Sequence, residues 1–313
     1  ITDRMLADNF EDIEPFLTMV DAELVASGEA PLTYFEALTA LTFAAFADAP
    51  VDVAIVEAGM GGEWDATNVA DADVAVLTPI ALDHMEFLGD TIAEIAATKS
   101  GIIKPASRVV SAHQRDDAWS EITAVCEKYE ATLRVFGRDF SLTSLEPGVG
   151  GQVISVEGIA GHYSSLALPL LGDYQAENAA LAIAAVESFV QNGENMLPRD
   201  VVEEGIALSS SPGRLQRVSA NPAVIVDAAH NPHGAEALTG AMMTSFSFDR
   251  LVCVVGILQE KDVVGIIEAL DPVVDHFVVT QSQSDRAISV HEQDDAVAAI
   301  AGPDRVDSRP NSE

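Results

Sequence analysis

Positive charge is the scarcest thing in this sequence. Sixteen Lys and Arg side chains stand against 50 Asp and Glu over 313 residues, a formal net charge of -34. So acidic a surface repels polyanions, which argues against nucleic acid as a partner. It fits a solvated surface adapted to its medium, such as high salt. Cysteine is nearly missing. Cys126 and Cys253 lie far apart without metal-ligand spacing, so free thiols in a reducing cytoplasm are expected rather than a disulfide framework or a zinc site. No apolar run approaches the roughly 18 residues that span a bilayer, and no basic-then-apolar signal opens the chain. Neither a repeat nor a low-complexity tract is present, and a G-x-x-x-x-G-K-[ST] phosphate loop is found nowhere.

What is present is an alternation of strand-like and helix-like segments. Met5, Phe10, Ile13, Phe16, Leu17, Val20 and Leu24 recur at helical spacing and predict a first helix to about residue 28. Thr33 with Glu36, and Thr91 with Glu94, are capping-box signatures that open two more. The apolar runs Val51–Glu57, Asp73–Thr78, Arg108–Ala112 and Thr132–Phe136 predict strands, the first of them a buried parallel one. A helix is expected between the last two, over 116–129. Between Phe140 and Leu168 the pattern changes to short antiparallel strands around glycine turns. Helices over 174–190 and 199–208 follow. After the turn SSSPGR at 209–214 the alternation restarts, with strands at 223–227, 251–256 and 276–280 and helices at 234–245, 263–270 and 290–301. Such alternation predicts a parallel three-layer arrangement. A boundary near 211 therefore separates a domain at 1–210 from a smaller one at 211–313.

The stretch from Val53 to Lys104 is the richest in chemistry. An apolar run ends on Glu57, and a turn with Gly59, Gly61 and Gly62 follows. The loop after the next run carries Asp83 and His84, and the helix beyond it carries Lys99. Ligands of open parallel sheets sit outside the carboxyl ends of the strands, so Glu57, Asp65, Asn68, Asp83, His84 and Lys99 are expected to share one crevice. Each has a plainer reading. Glu57 can cap the glycine turn, His84 can be a satisfied loop histidine, and Asp65 and Asn68 can be local acceptors. Lys99 can complement a helix C-terminus, Asn178 can be a helix-surface amide, and Asp227 can be a helix N-cap.

Several separate motifs, in consistent order over most of the chain, carry a resemblance. EAGMGGEWDATNV, LDHMEFLGDT and TKSGI are joined by SPGRLQRV at 211–218, DAAHNPHGAEAL at 227–238 and GILQEKD at 256–262. Together they resemble the folylpolyglutamate synthase/dihydrofolate synthase family of Mur-type ATP-dependent amide ligases. The resemblance implies an α/β fold, with a central three-layer Mur-ligase domain followed by a smaller Rossmann-like domain. It implies metal ligation by Glu57 and His84, and a carbamylated lysine at Lys99. It assigns contacts with the pterin substrate to Trp64, Asp65 and Ala66, and nucleotide contacts to Asn178, Arg214, Asp227, His230 and Asn231. Lys261 and Asp262 fall at the family's KD position, expected near glutamate or the domain junction.

The implied reaction uses ATP and magnesium, and optionally a monovalent cation. It joins L-glutamate to a folate or to dihydropteroate through an acyl phosphate, in a cytoplasmic monomer with no membrane partner. Two residues depart from the family pattern: Glu63 stands where an arginine is usual, and Thr98 where a glutamate often precedes the lysine. The family's phosphate loop lies ahead of the region matching Ile1. The expectation is therefore an incomplete chain, inactive alone and short of one metal ligand, against the rival of a chain that has lost the loop. Other readings are another Mur-type amino-acid ligase, a catalytically silent scaffold, and, poorly, a dinucleotide-binding dehydrogenase. GMGG does not have the G-x-G-x-x-G spacing of the last.

Overall fold

The computed structural model describes residues 2–310. The chain divides into two compact units. The first comprises Ile1–Ala75, His84–Ser107 and Arg115–Ala131, and the second Val76–Asp83, Arg108–Gln114 and Thr132–Glu313.

The first unit is built from helices whose ends are written into the sequence. Helix α1 (Asp3–Ser27) starts where the Thr2 hydroxyl accepts from Met5 N, and it ends on left-handed Gly28. Helix α2 (Tyr34–Asp48) carries the expected capping box: Thr33 Oγ1 accepts from Glu36 N, while the Glu36 carboxylate accepts from Thr33 N. After a short helix α3 (Met85–Leu88), helix α4 (Ile92–Ser100) repeats the device with Thr91 and Glu94. Helix α5 (Asp116–Lys128) packs on α4, and Ile95, Ala96, Ala118 and Ile122 of this pair are fully buried.

One expectation fails in this unit. Residues 51–57 are not a buried strand: among the described residues they join no ladder. Val53 is 53% and Ile55 92% exposed. An apolar run records a preference for burial, but a strand exists only where a neighbour takes its backbone hydrogen bonds.

The second unit contains the sheets, apart from Val74 and Ala75 at the start of β1. Strands β1 (Val74–Leu77), β2 (Arg108–Ser111) and β3 (Thr132–Val135) lie in the order β1-β2-β3, with β2 and β3 parallel. Strands β4 (Ser141–Gly148), β5 (Gly151–Glu157) and β6 (His162–Leu168) form the expected antiparallel meander. Helix α6 (Asp173–Gln191) packs on β2, β4 and β5, and helix α7 (Arg199–Ala207) on β6.

Beyond the turn at 209–214 comes a strand that the pattern did not announce, β7 (Gln216–Ala220). It pairs antiparallel with β8 (Ala223–Val226). The 223–227 strand thus belongs to a hairpin and not to a parallel sheet. β7 reads poorly in the sequence because it is exposed and polar. Helix α8 (Pro232–Ser245), β9 (Val252–Val255), α9 (Val263–Leu270), β10 (His276–Val279), α10 (Val290–Ala301) and β11 (Val306–Ser308) complete the chain. Their parallel sheet runs β11-β10-β9. Phe277, Val279, Ile267 and Val297 fill its core. No helix among the described residues is long and apolar enough to cross a membrane.

A buried carboxylate braces the meander. Glu187 of α6 is fully buried and accepts hydrogen bonds from Tyr163 Oη (2.8 Å), Ile159 N (2.6 Å) and Ala160 N (3.3 Å). The same Tyr163 oxygen accepts from Leu197 N at 2.9 Å. A buried acceptor left unmatched costs its desolvation. Tyr163→Phe is therefore expected to destabilise the protein by about 1–3 kcal/mol in urea unfolding. An unchanged midpoint and slope would contradict this role.

Candidate functional site

In the first unit, the glycine turn and the DATN segment lie against the C-terminal end of α4. Gly62 is there because nothing larger fits: an added Cβ would meet the carbonyl oxygens of Thr98 and Lys99 at 2.8 Å. Gly101 meets Glu63 in the same way, with an added Cβ 2.5 Å from Glu63 Cα. Glu63 N donates to Thr98 O at 2.9 Å, so both departures from the family pattern lie in this one contact. Asn68 Nδ2 donates to the carbonyls of Glu63 and Gly101, and Lys104 Nζ donates to Asn68 O. Lys104, which the motif reading passed over, thus ties the segment down, and it also pairs with Asp71.

Asp65 organises the turn itself. Its carboxylate accepts from Met60 N (2.8 Å), Thr67 N (3.0 Å) and Thr67 Oγ1 (2.5 Å). Burial raises its pKa, but the hydrogen bonds from Thr67, Met60 and Gly59 outweigh burial and hold it below the ordinary Asp value. Trp64 beside it is 72% exposed, and Ala66 opens a short 3-10 turn. Lys99 is half-buried in the last turn of α4. His84 is exposed and takes the left-handed backbone conformation (φ 51°), which is uncommon for a side-chain-bearing residue and is found often at functional positions. Glu57 is exposed and lines a groove of about 160 Å³ formed with Phe35, Phe43, Phe46, Ile55 and Thr67. Among the described residues, no group of three or more His, Cys, Asp or Glu side chains is arranged to hold a metal ion.

In the second unit, the PGR turn and the DAAHNP loop are fastened together by Asp227. Its Oδ2 accepts from Leu215 N and its Oδ1 from Ala229 N, both at 2.7 Å. Leu215 itself is buried against Ala241 and Met242. Arg214 is exposed beside this anchor. Tyr174 of α6 registers the same charges: burial and then Asp227 push its phenol up, while Arg214 opposes them. Asn178, one turn further along α6, is exposed. The DAAHNP loop ends on Asn231, whose Oδ1 accepts from Gly234 N and so caps α8, with Pro232 at its first turn. Asp227 is thus not the cap. His230 Nδ1 lies 3.0 Å from Ala228 O.

Asp83, expected in the crevice but given no role by the resemblance, belongs with this loop. Its carboxylate accepts from Asn231 Nδ2 at 2.8 Å, pairs with Lys261 Nζ at 3.3 Å and lies 3.5 Å from His230 Nε2. Of the six residues expected to share one crevice, Asp83 falls in the second unit and the other five in the first.

Residues 2–186 match the Mur ligase middle domain, and residues 213–311 match the Mur ligase glutamate ligase domain. A dihydrofolate synthase/folylpolyglutamate synthase of Mycobacterium tuberculosis is 44% identical over 312 residues, covering 96% of this chain and 64% of that protein. The chain belongs to the folylpolyglutamate synthase/dihydrofolate synthase family of Mur ligases. The Escherichia coli dihydrofolate synthase/folylpolyglutamate synthase is 35% identical, with coverage of 93% and 66%. Mycobacterium tuberculosis folylpolyglutamate synthase complexed with ADP superposes with a TM-score of 0.95 at 43% identity, covering 99% of this chain and 69% of that one. A folylpolyglutamate synthase–AMPPCP–folate complex gives 0.82 at 31% identity, covering 97% and 74%. The chain thus spans just under two thirds of the length of these curated relatives.

Two expectations follow from the ties described. Asp65→Asn should destabilise the protein by about 1–2 kcal/mol at neutral pH. Because the folded-state pKa is depressed, Asp65 contributes fully above the ordinary carboxylate range near ~4 and loses its contribution as pH falls through the folded value. Thermal melts of wild type and variant should therefore converge on acidification, and a gap that widens there would contradict the assignment. Asp227→Asn should speed hydrogen exchange at the Leu215 and Ala229 amides about tenfold. Unaltered protection at both would remove Asp227 as the anchor.

Proposed function

We propose that the protein is an ATP-dependent amide ligase that adds L-glutamate to a folate, to dihydropteroate, or to both. The observation that carries the reading is the Asp227 anchor, which fixes the backbone at Leu215 next to Arg214, within a chain of this family. Relatives bound to ADP, or to AMPPCP and folate, support it. The same reading divides the chain at 211, into a central ligase domain at 1–210 and a glutamate-ligase domain at 211–313. It includes a cytoplasmic, monomeric enzyme.

The chemistry needs a carboxylate made electrophilic. The substrate carboxylate attacks the γ-phosphorus of ATP and ADP leaves. The amine of glutamate then attacks the acyl phosphate, and phosphate leaves as the amide forms. The protein's part is positioning and charge stabilisation. The Arg214 guanidinium offers paired donors to phosphate oxygens. Asp227 keeps lone pairs beyond its two backbone bonds and can accept from a ribose hydroxyl. Asn178, His230 and Asn231 complete the nucleotide contacts, and Trp64, Asp65 and Ala66 form the pterin-side surface, where the exposed indole offers a flat apolar face.

Magnesium takes one or two carboxylates and fills its shell with waters and phosphate oxygens. Glu57 and His84 would supply two of its protein ligands, although imidazole is the less usual partner. When bound, the ion would neutralise charge on the phosphates. Lys99, as a carbamate, would exchange a cation for an anion at the end of α4.

The test is an assay of the protein, with whatever sequence flanks it in its gene, for glutamate incorporation. ATP, L-glutamate and either a reduced folate or dihydropteroate should yield ADP and a product one glutamyl unit heavier. Absence of ATP-dependent incorporation into any folate would refute the reading, and incorporation of glutamate into a cell-wall precursor would replace it. Arg214→Ala should weaken ATP binding by at least about tenfold, as loss of a charge-assisted contact does. Titration calorimetry with a non-hydrolysable analogue measures this, and equal affinity would exclude Arg214 from the site.

A further inference from the structure

We propose that Asp83 is a positioning residue that locks two loops of the glutamate-ligase part into one arrangement. One is the loop ending at His230 and Asn231, the other the loop ending at Lys261. This inference rests on the functional reading above only for what the loops then receive: an amine substrate bearing carboxylates at Lys261, beside the nucleotide at His230 and Asn231.

The geometry begins with two fully engaged glutamines. Gln114, nearly buried, mimics a strand partner for the segment after β1: its Oε1 accepts from Ile80 N at 3.0 Å and its Nε2 donates to Thr78 O at 2.9 Å. Gln293 of α10, 1% exposed, does the same after β9: its Oε1 accepts from Ile257 N at 3.0 Å and its Nε2 donates to Val255 O at 3.1 Å. Gln114 satisfies backbone groups that the end of a strand leaves over, while Gln293 takes the Ile257 amide and shares the Val255 carbonyl with Thr280 N. One fixes the root of the Asp83 loop and the other the root of the Lys261 loop.

The tips then meet. Asp83 Oδ2 accepts from Asn231 Nδ2, and Asp83 Oδ1 pairs with Lys261 Nζ. The Lys261 side chain is only 13% exposed, so its ammonium has lost most of its water and depends on a partner. Among the described residues its polar partner is Asp83. Lys261 is followed by Asp262, the cap of α9, just as Asn231 caps α8. The two helix starts lie side by side, since a Cβ on Gly265 would fall 2.7 Å from Pro232 Cγ. Asp83 therefore faces two helix N-termini, an ammonium and the His230 imidazole at once. A single acceptor shared among these donors sets their spacing. The ammonium keeps two further N–H donors for an incoming carboxylate.

Asp83→Asn tests this, because it keeps the side chain's shape and an oxygen for Asn231 but removes the charge facing Lys261. Hydrogen exchange of the full chain should rise about tenfold over residues 228–235 and 256–262, with β10 unchanged. In the ligase assay, KM for L-glutamate should rise about tenfold, and KM for ATP by clearly less, because His230 and Asn231 also belong to the proposed nucleotide contacts. Lys261→Met, which removes the partner instead, should loosen 256–262 equally, and the double variant should be no worse than either single one. Exchange unchanged in both single variants would overturn the proposal. So would a rise in KM for ATP equal to that for glutamate, since a merely structural tie would act that way. An exchange response in a protein whose wild type ligates no glutamate would support the lock and count against the ligase reading alone.

Discussion

A loop that leaves the end of a buried strand still carries amides and carbonyls that must be paired. In this protein side chains answer that demand, and most of what surrounds the candidate site depends on it. Asp227 takes the amides of Leu215 and Ala229, Gln114 those of the segment after β1, and Gln293 those of the segment after β9. Asp65 does the same for the DATN turn with Met60 and Thr67. Each of these side chains spends its polar atoms on backbone. Each lies close in the chain to a residue of the candidate site: Arg214, Asp83, Lys261 or Trp64. Rigidity at such loops would serve the proposed phosphoryl and acyl transfer, which asks for charge held in position more than for a protein nucleophile.

The charge balance sharpens the point. With a formal charge of -34, the protein as a whole repels anions. Local cations must overcome that field at short range. Among the cations at the candidate positions, Lys261 is held nearly buried against Asp83, while Arg214 is exposed next to the Leu215 amide that Asp227 accepts from. A divalent ion held by Glu57 and His84 would add to them. The thiols play no part in this. Burial pushes both Cys126 and Cys253 up to about 11, so neither is a thiolate at neutral pH.

Much of this was legible in the sequence, for identifiable reasons. Capping boxes at Thr33/Glu36 and Thr91/Glu94 are local, so two of the helix starts could be read directly. Glycines with a backbone against them, such as Gly62 on α4, make a motif conspicuous. Residues 51–57 misled because an apolar run carries no information about its neighbour. β7 was missed because an exposed polar strand has no periodic signature. Asp83 stood in a motif, yet its partners are 148 and 178 positions away, and no spacing rule reaches that far. Gln114 and Gln293 had no signal at all, since a buried amide looks like any surface glutamine until the strand ends around it are known.

The central claim is that the Asp227 anchor presents Arg214 to a nucleotide. A crystal structure of the protein with a non-hydrolysable ATP analogue tests it most directly. The account predicts phosphate density against the Arg214 guanidinium, with Leu215 N and Ala229 N still donating to Asp227. Nucleotide bound away from Arg214, or an Asp227 that has let go of both amides, would contradict it.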